Sequence, residues 1–147
     1  MEFKGRVILG GDAELEAVVT REGFNTLASC QKSAMGKKDK IICSDQNNRD
    51  IYNKNITGKA LCLPKTIGST TGGMVLQTVA HMGIAPAAML FAEPIDSLAA
   101  SGVLLADIWN NHRIITIDNL GIDFLTAVET GKTVTIKNDG TVTIEEK

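Results

Sequence analysis

A mixed α/β domain is predicted by three features of the chain. Short continuous apolar runs, "KALCLP", "PAAMLFAEP" and "RIITID", read as buried strands; the stretches between them carry apolar residues at helical spacing; and the chain closes on two alternating segments around Asn138, Asp139 and Gly140. The length, 147 residues, suits one domain over 1–147 with one modest core. A hydrophobic share of 44% and a charged share of 22% are those of an ordinary globular protein, which excludes disordered and collagen-like classes.

In chain order, "FKGRVILGG" and "ELEAVVTRE" are apolar-rich stretches broken by Gly10, Gly11 and Asp12, which predicts a strand pair joined through a glycine turn. The region from Gly23 to Gly58 is polar and turn-rich around one apolar island, "IICS", and is expected to be a long loop. Next, "KALCLP" predicts a buried strand. Val75, Val79 and Met82 then fall at helical spacing, and Gly83 stops that helix. After the strand "PAAMLFAEP", Asp96 is a predicted N-cap for a helix through Leu98, Leu105 and Ile108. The strand "RIITID" follows. Strands alternating with helices favour parallel pairing. Val134, Ile136, Val142 and Ile144 alternate along the closing hairpin.

Several functions are disfavoured. Net charge is −2 with both signs interspersed, so nothing marks a nucleic-acid or anionic-membrane surface. No apolar run approaches the roughly 20 residues that span a bilayer, and the start of the chain does not read as a signal peptide. A cytoplasmic location is expected. Cys30, Cys43 and Cys62 are an odd set at wide spacing, unlike a disulfide framework or a metal knuckle, and reduced thiols are expected. His81, His112, Arg49 and Asp50 read as solvated, capping or turn-holding groups, with substrate binding the alternative for the last two.

The motif that invites chemistry is "KTIGSTTGG", in which Ser69, Thr70 and Thr71 stand among Gly68, Gly72 and Gly73 at a strand-to-helix junction. Ligands in α/β folds tend to sit beyond the carboxyl ends of strands, where helix N-termini offer free N–H groups and partial positive charge. Glycines there let the backbone approach an anion, and the hydroxyls can bond to it or cap the helix. A plain N-cap with permissive glycines accounts for the same pattern. Neither GxxxxGK[ST] nor GxGxxG is present.

The order "GRVILGGDAELEAVV", "GKALCLPKTIGSTTGGMVL", "GIAPAAMLFAEPIDSLAASGVLLADIW" resembles, over nearly the whole chain, the small subunit or swivelling domain of the aconitase X family. The resemblance implies a swivelling β/β/α domain akin to the mobile domain of aconitases. Members are hydro-lyases; some dehydrate phosphomevalonate and others cis-3-hydroxy-L-proline. A larger subunit carries the iron–sulfur cluster and most substrate contacts, so the implied partner is that large subunit and the implied substrate a hydroxy acid. The implied proton acceptor is Ser69, with Gly68, Thr70, Thr71, Gly72 and Gly73 around the substrate. No metal ligand is implied in this chain.

Dehydrating a β-hydroxy acid requires loss of a proton beside a carboxylate while the hydroxyl leaves, and Lewis-acidic iron suits that departure. Serine is a poor base at its ordinary pKa, so its alkoxide needs nearby N–H groups and helix-terminal charge. The chain departs from the family at "LASCQKSAMGKK" and "CSDQNNRDIY", where many members carry Gly-Gly-x-Asp-Pro-like and Asp-x-x-His-Pro-like runs. A different hydroxy acid is therefore compatible with the resemblance, and Cys30, beside the departure, is a candidate for approaching the cluster. The alternative function is a non-catalytic anion-binding or interaction module on the same fold.

Overall fold

The computed structural model describes residues 1–68 and 71–145. Its strands and helices run β1 (Glu2–Lys4), β2 (Arg6–Leu9), β3 (Ala13–Val19), β4 (Phe24–Asn25), α1 (Thr26–Met35), β5 (Ala60–Leu63), β6 (Thr66–Ile67) and α2 (Gly72–His81). They continue as β7 (Ala88–Phe91), α3 (Ser97–Trp109), β8 (Ile115–Asp118), α4 (Ile122–Ala127), β9 (Thr133–Ile136) and β10 (Thr141–Ile144). The predicted alternation of the second half is present. Asp96 caps α3 by accepting from the Ala99 N–H at 3.0 Å, and Gly83 follows α2 with φ +77°.

The main sheet has the order β1-β10-β9-β3-β5-β7-β8-β2. Its middle, β3-β5-β7-β8, is parallel, and the flanking pairs are antiparallel. The expected pairing of the first two apolar stretches is not made. β2 pairs with β8, whereas β3 lies between β9 and β5. The reason is visible in β3: Ala13–Glu16 run beside β9, and Ala17–Val19, buried on both faces, run beside β5. Strands buried on both faces suit parallel neighbours, and a local glycine turn would have denied β3 one of them.

The two ends of the strand order are consecutive in the chain, joined at Gly5, whose N–H donates to the Gly140 carbonyl at 3.1 Å. A Cβ at Gly5 would lie 2.4 Å from the Asp118 carbonyl oxygen, so only glycine passes there. Arg6, the next residue, clamps the fully buried Asp118 carboxylate through Nε at 2.9 Å and Nη2 at 2.6 Å. Asp118 also accepts from the Ile95 N–H at 2.8 Å, which leaves the buried charge well satisfied.

Alternate residues of the parallel strands feed two cores. Val18, Leu61, Leu63, Met89 and Phe91 face α1, α2 and α3, while Val19, Cys62, Ala88 and Leu90 face α4 and the antiparallel strands. Each large apolar side chain fully removed from water contributes about 1.5–3 kcal/mol.

The region from Gly23 to Gly58 is not one long loop. It opens with α1, capped by Asn25, whose Oδ1 accepts from the Ala28 N–H at 3.0 Å. The buried residues of α1 are Thr26, Ser29, Cys30 and Ser33, so the face that packs is hydroxyl and thiol and has no apolar period to read. Beyond it, Ile41, Ile51 and Ile56 anchor an irregular segment in the core. Hydroxyls bind its backbone: Thr57 Oγ1 accepts from the Ile41 N–H at 2.7 Å and donates to the Ile84 carbonyl at 2.6 Å, and Ser33 Oγ accepts from the Ile42 N–H at 3.1 Å. Among the described residues no helix is long and apolar enough to cross a membrane.

Candidate functional site

The short parallel pair β4–β6 sets Phe24 opposite Thr66 and Asn25 opposite Ile67. The entry to α1 and the entry to the glycine-rich motif therefore lie side by side. Gly68 leaves β6 with φ +99°, and a Cβ there would come within 2.7 Å of the Asn25 side chain; both facts demand glycine. Ser69 and Thr70 lie outside the described residues. Thr71 stands at the N-cap position of α2 in a helical conformation, and its side chain does not make the capping bond.

Three helix N-termini meet here. A cavity of about 190 Å³ is lined by Thr26 at the start of α1, Gly68, Gly72 and Gly73 at the start of α2, Leu98 and Ala99 at the start of α3, and the neighbouring Thr66, Ile67 and Asp96. First-turn N–H groups have no intrahelical acceptor, and each N-terminus adds partial positive charge. Asn25 and Asp96 supply side-chain caps to α1 and α3. Asp96 also accepts a short hydrogen bond from Thr66 Oγ1, which ties β6 to α3. Its carboxylate disfavours an anion on the Thr66 side of the cavity.

The three glycines serve different ends. Gly73 is where α2 crosses α3: a Cβ on it would lie 2.5 Å from the Leu98 carbonyl oxygen, and one on Gly102 2.6 Å from the Gly73 carbonyl oxygen. Among the described residues, a Cβ on Gly72 would meet only Thr26, at 3.6 Å. Thus Gly68, Gly72 and Gly73 are brought to one cavity, with Thr71 adjoining. Thr26 was not legible as part of the site, and Thr66, though inside the glycine-rich motif, was not singled out. Asp96 was legible only as a cap.

The cysteines stand apart from this cavity. Cys30 lies on the buried side of α1, not in a polar loop, and burial raises the pKa of its thiol, with the neighbouring Cys43 adding to the effect. Burial, and then Asp45, push the Cys43 thiol up to about 12; Cys62, facing the opposite core, is raised by burial alone. Cys30 is 1% exposed in this chain, so its thiol is not presented at the surface. No group of three or more metal-binding side chains occurs among the described residues.

His81 is exposed, with Nδ1 3.2 Å from the Asn110 amide, and Asp50 accepts from the Arg21 N–H at 2.8 Å, holding a turn against the end of β3. A larger cavity, about 380 Å³, opens beside Lys32, Lys38 and Tyr52 near the far end of α1. Ten helical residues, about 15 Å, separate that end from the glycine cradle. We place the site at the cradle, where helix termini and unusual backbone coincide.

The fold is that of a swivelling domain, and the chain belongs to the aconitase X swivel domain family, whose model matches residues 2–144. It is 32% identical to the phosphomevalonate dehydratase small subunit of Thermococcus onnurineus, over 99% of this chain and all of that protein. The corresponding subunit of Methanocella arvoryzae is 31% identical, over 99% of this chain and 98% of its own. The crystal structure of aconitase X from Thermococcus kodakaraensis in its holo-form superimposes with a TM-score of 0.82 at 28% identity, covering 99% of each chain.

Proposed function

We propose that this chain is the small subunit of an aconitase X dehydratase acting on phosphomevalonate, and that Ser69 is the proton acceptor. The observation that carries the reading is the convergence of three helix N-termini on the cavity lined by Gly68, Gly72 and Gly73, the glycines that flank Ser69 in the sequence. End-to-end correspondence with relatives called phosphomevalonate dehydratase small subunits supports the choice of substrate over cis-3-hydroxy-L-proline.

Ser69 removes the proton beside the substrate carboxylate. Its alkoxide is stabilised by the partial positive charge of α2. Thr70, Thr71 and the open backbone of Gly72 receive an anionic group of the substrate, and Gly68 and Gly73 fix the path of the chain on either side. Asp96 directs the anion to the Gly72 side by repulsion. The iron–sulfur cluster belongs to the large subunit, and the isolated small subunit is inactive.

The test is dehydration by the chain co-expressed with its organism's aconitase X large subunit, on phosphomevalonate and on cis-3-hydroxy-L-proline. Activity is expected only in the complex and only on phosphomevalonate, with kcat reduced about 10²–10⁴-fold by Ser69→Ala. Unchanged turnover in the Ser69→Ala complex would remove the catalytic role. Turnover of the proline alone would change the substrate.

A further inference from the structure

Helix α3 is packed inside out. The residues it buries are small, Ala99, Gly102, Val103 and Ala106, because the crossing at Gly73 brings its backbone against α2. Its large apolar side chains, Leu98, Leu104, Ile108 and Trp109, point to water, with Ile108 70% and Trp109 73% exposed. Met74 of α2, 69% exposed, lies on the same outer side, where Gln77, Thr78 and His81 share a groove with Asn110 at the end of α3. Single domains rarely leave so many large apolar side chains of one helix in water.

We propose that this outer face of α2 and α3 is the surface on which the aconitase X large subunit docks. The inference rests on the small-subunit reading above. Three observations choose the occupant. The strip begins at the cradle itself, since Ile67 and Leu98 line the cavity and are exposed at its rim. From Leu98 to Trp109 it runs eleven residues, about 16 Å, well inside the roughly 30 Å breadth of a standard interface of about 800 Å² per partner. Its polar members on α3 are Ser97 and Ser101, and Asp107, at its margin, is clamped by Arg113 through two bonds of 2.8 and 2.9 Å; the charge at its cradle end is Asp96. The partner surface that matches the α3 strip is therefore apolar. A second copy of this chain on the same rim would close the cradle to substrate, whereas a partner bringing the rest of the catalytic apparatus has to arrive there.

The experiment measures the dissociation constant between the large subunit and three forms of this chain: wild type, an Ile108→Asp/Trp109→Asp double variant, and Met35→Asp, which alters an exposed methionine of α1 away from the strip. The double variant should weaken binding at least about 100-fold and Met35→Asp less than about 2-fold. Equal affinity of all three would overturn the surface and leave the small-subunit reading standing. A wild-type chain that does not bind the large subunit would overturn both. Self-association abolished by the double variant, with the large-subunit complex intact, would give the face to a second copy and overturn the proposal.

A second measurement needs no variant. Trp109 is the one tryptophan in the sequence, so 5-fluorotryptophan labels a single site. Its ¹⁹F resonance should shift, and lose its solvent isotope effect, when unlabelled large subunit is added; an unmoved resonance in the formed complex would overturn the assignment.

Discussion

The segment from Gly23 to Gly58 packs through hydroxyls, whereas the segment from Lys59 to Asp118 packs through apolar strands and close backbone contact. In the first, α1 turns Thr26, Ser29 and Ser33 inward, and Thr57 stitches two irregular stretches together with bonds of 2.7 and 2.6 Å. In the second, β5 and β7 are buried throughout, and α2 and α3 touch backbone to backbone at Gly73 and Gly102. The lesson is that a polar segment can be placed by hydroxyls, such as those of Ser33 and Thr57, that pair its backbone groups, even where another, Ser29, finds no partner among the described residues. The two fail differently: one through an orphaned donor, the other through a steric conflict that no side chain can relieve.

Gly102→Val should produce the largest effect. Its Cβ alone would lie 2.6 Å from a carbonyl oxygen of α2, so the helices must part, at a cost of about 3 kcal/mol or more. We expect the thermal midpoint to fall by about 6–12 °C. In the complex, activity should fall too, since parting the helices moves Gly72. A variant as stable and active as the wild type would show that the crossing is loose, erasing the contrast between the segments.

Thr57→Val is the matching change in the polar segment. It keeps the shape but leaves the Ile41 N–H and the Ile84 carbonyl without the hydroxyl that serves both, at a cost of about 2 kcal/mol. Denaturant midpoints read at constant m would register this loss. No change would mean that apolar anchors such as Ile41 and Ile56 hold the segment unaided. Ser29→Ala should do least. The buried Ser29 Oγ finds no partner among the described residues, so its removal should leave stability within about 0.5 kcal/mol or raise it slightly. A loss of 1 kcal/mol or more in chemical denaturation would show that this hydroxyl has a partner after all.

The same contrast explains what could be read in advance. Leu61, Leu63, Met89 and Phe91 sit in continuous apolar runs, and Asp96 and Gly83 mark helix ends by local chemistry, so β5, α2, β7, α3 and β8 were legible. Helix α1 was not, because a buried face of Thr, Ser and Cys carries no hydrophobic period; Asn25, its cap, was the available local sign. Of the site, Gly68, Gly72 and Gly73 announced themselves by spacing. Thr26 reaches the cavity because β4 pairs with β6, a contact between residues some forty positions apart.

By itself, then, the sequence determined the strand–helix alternation, the closing hairpin, the glycine-rich junction and the family resemblance, since each lies in the order of neighbouring residues. Tertiary structure alone decided that β2 and β3 part to different neighbours, that Gly73 serves a helix crossing while Gly72 faces the cavity, and that three helices aim their N-termini at one place. The physical reason is that spacing fixes which face of an element is apolar, but pairing partners and close approach are settled by what the rest of the chain offers that face to pack against.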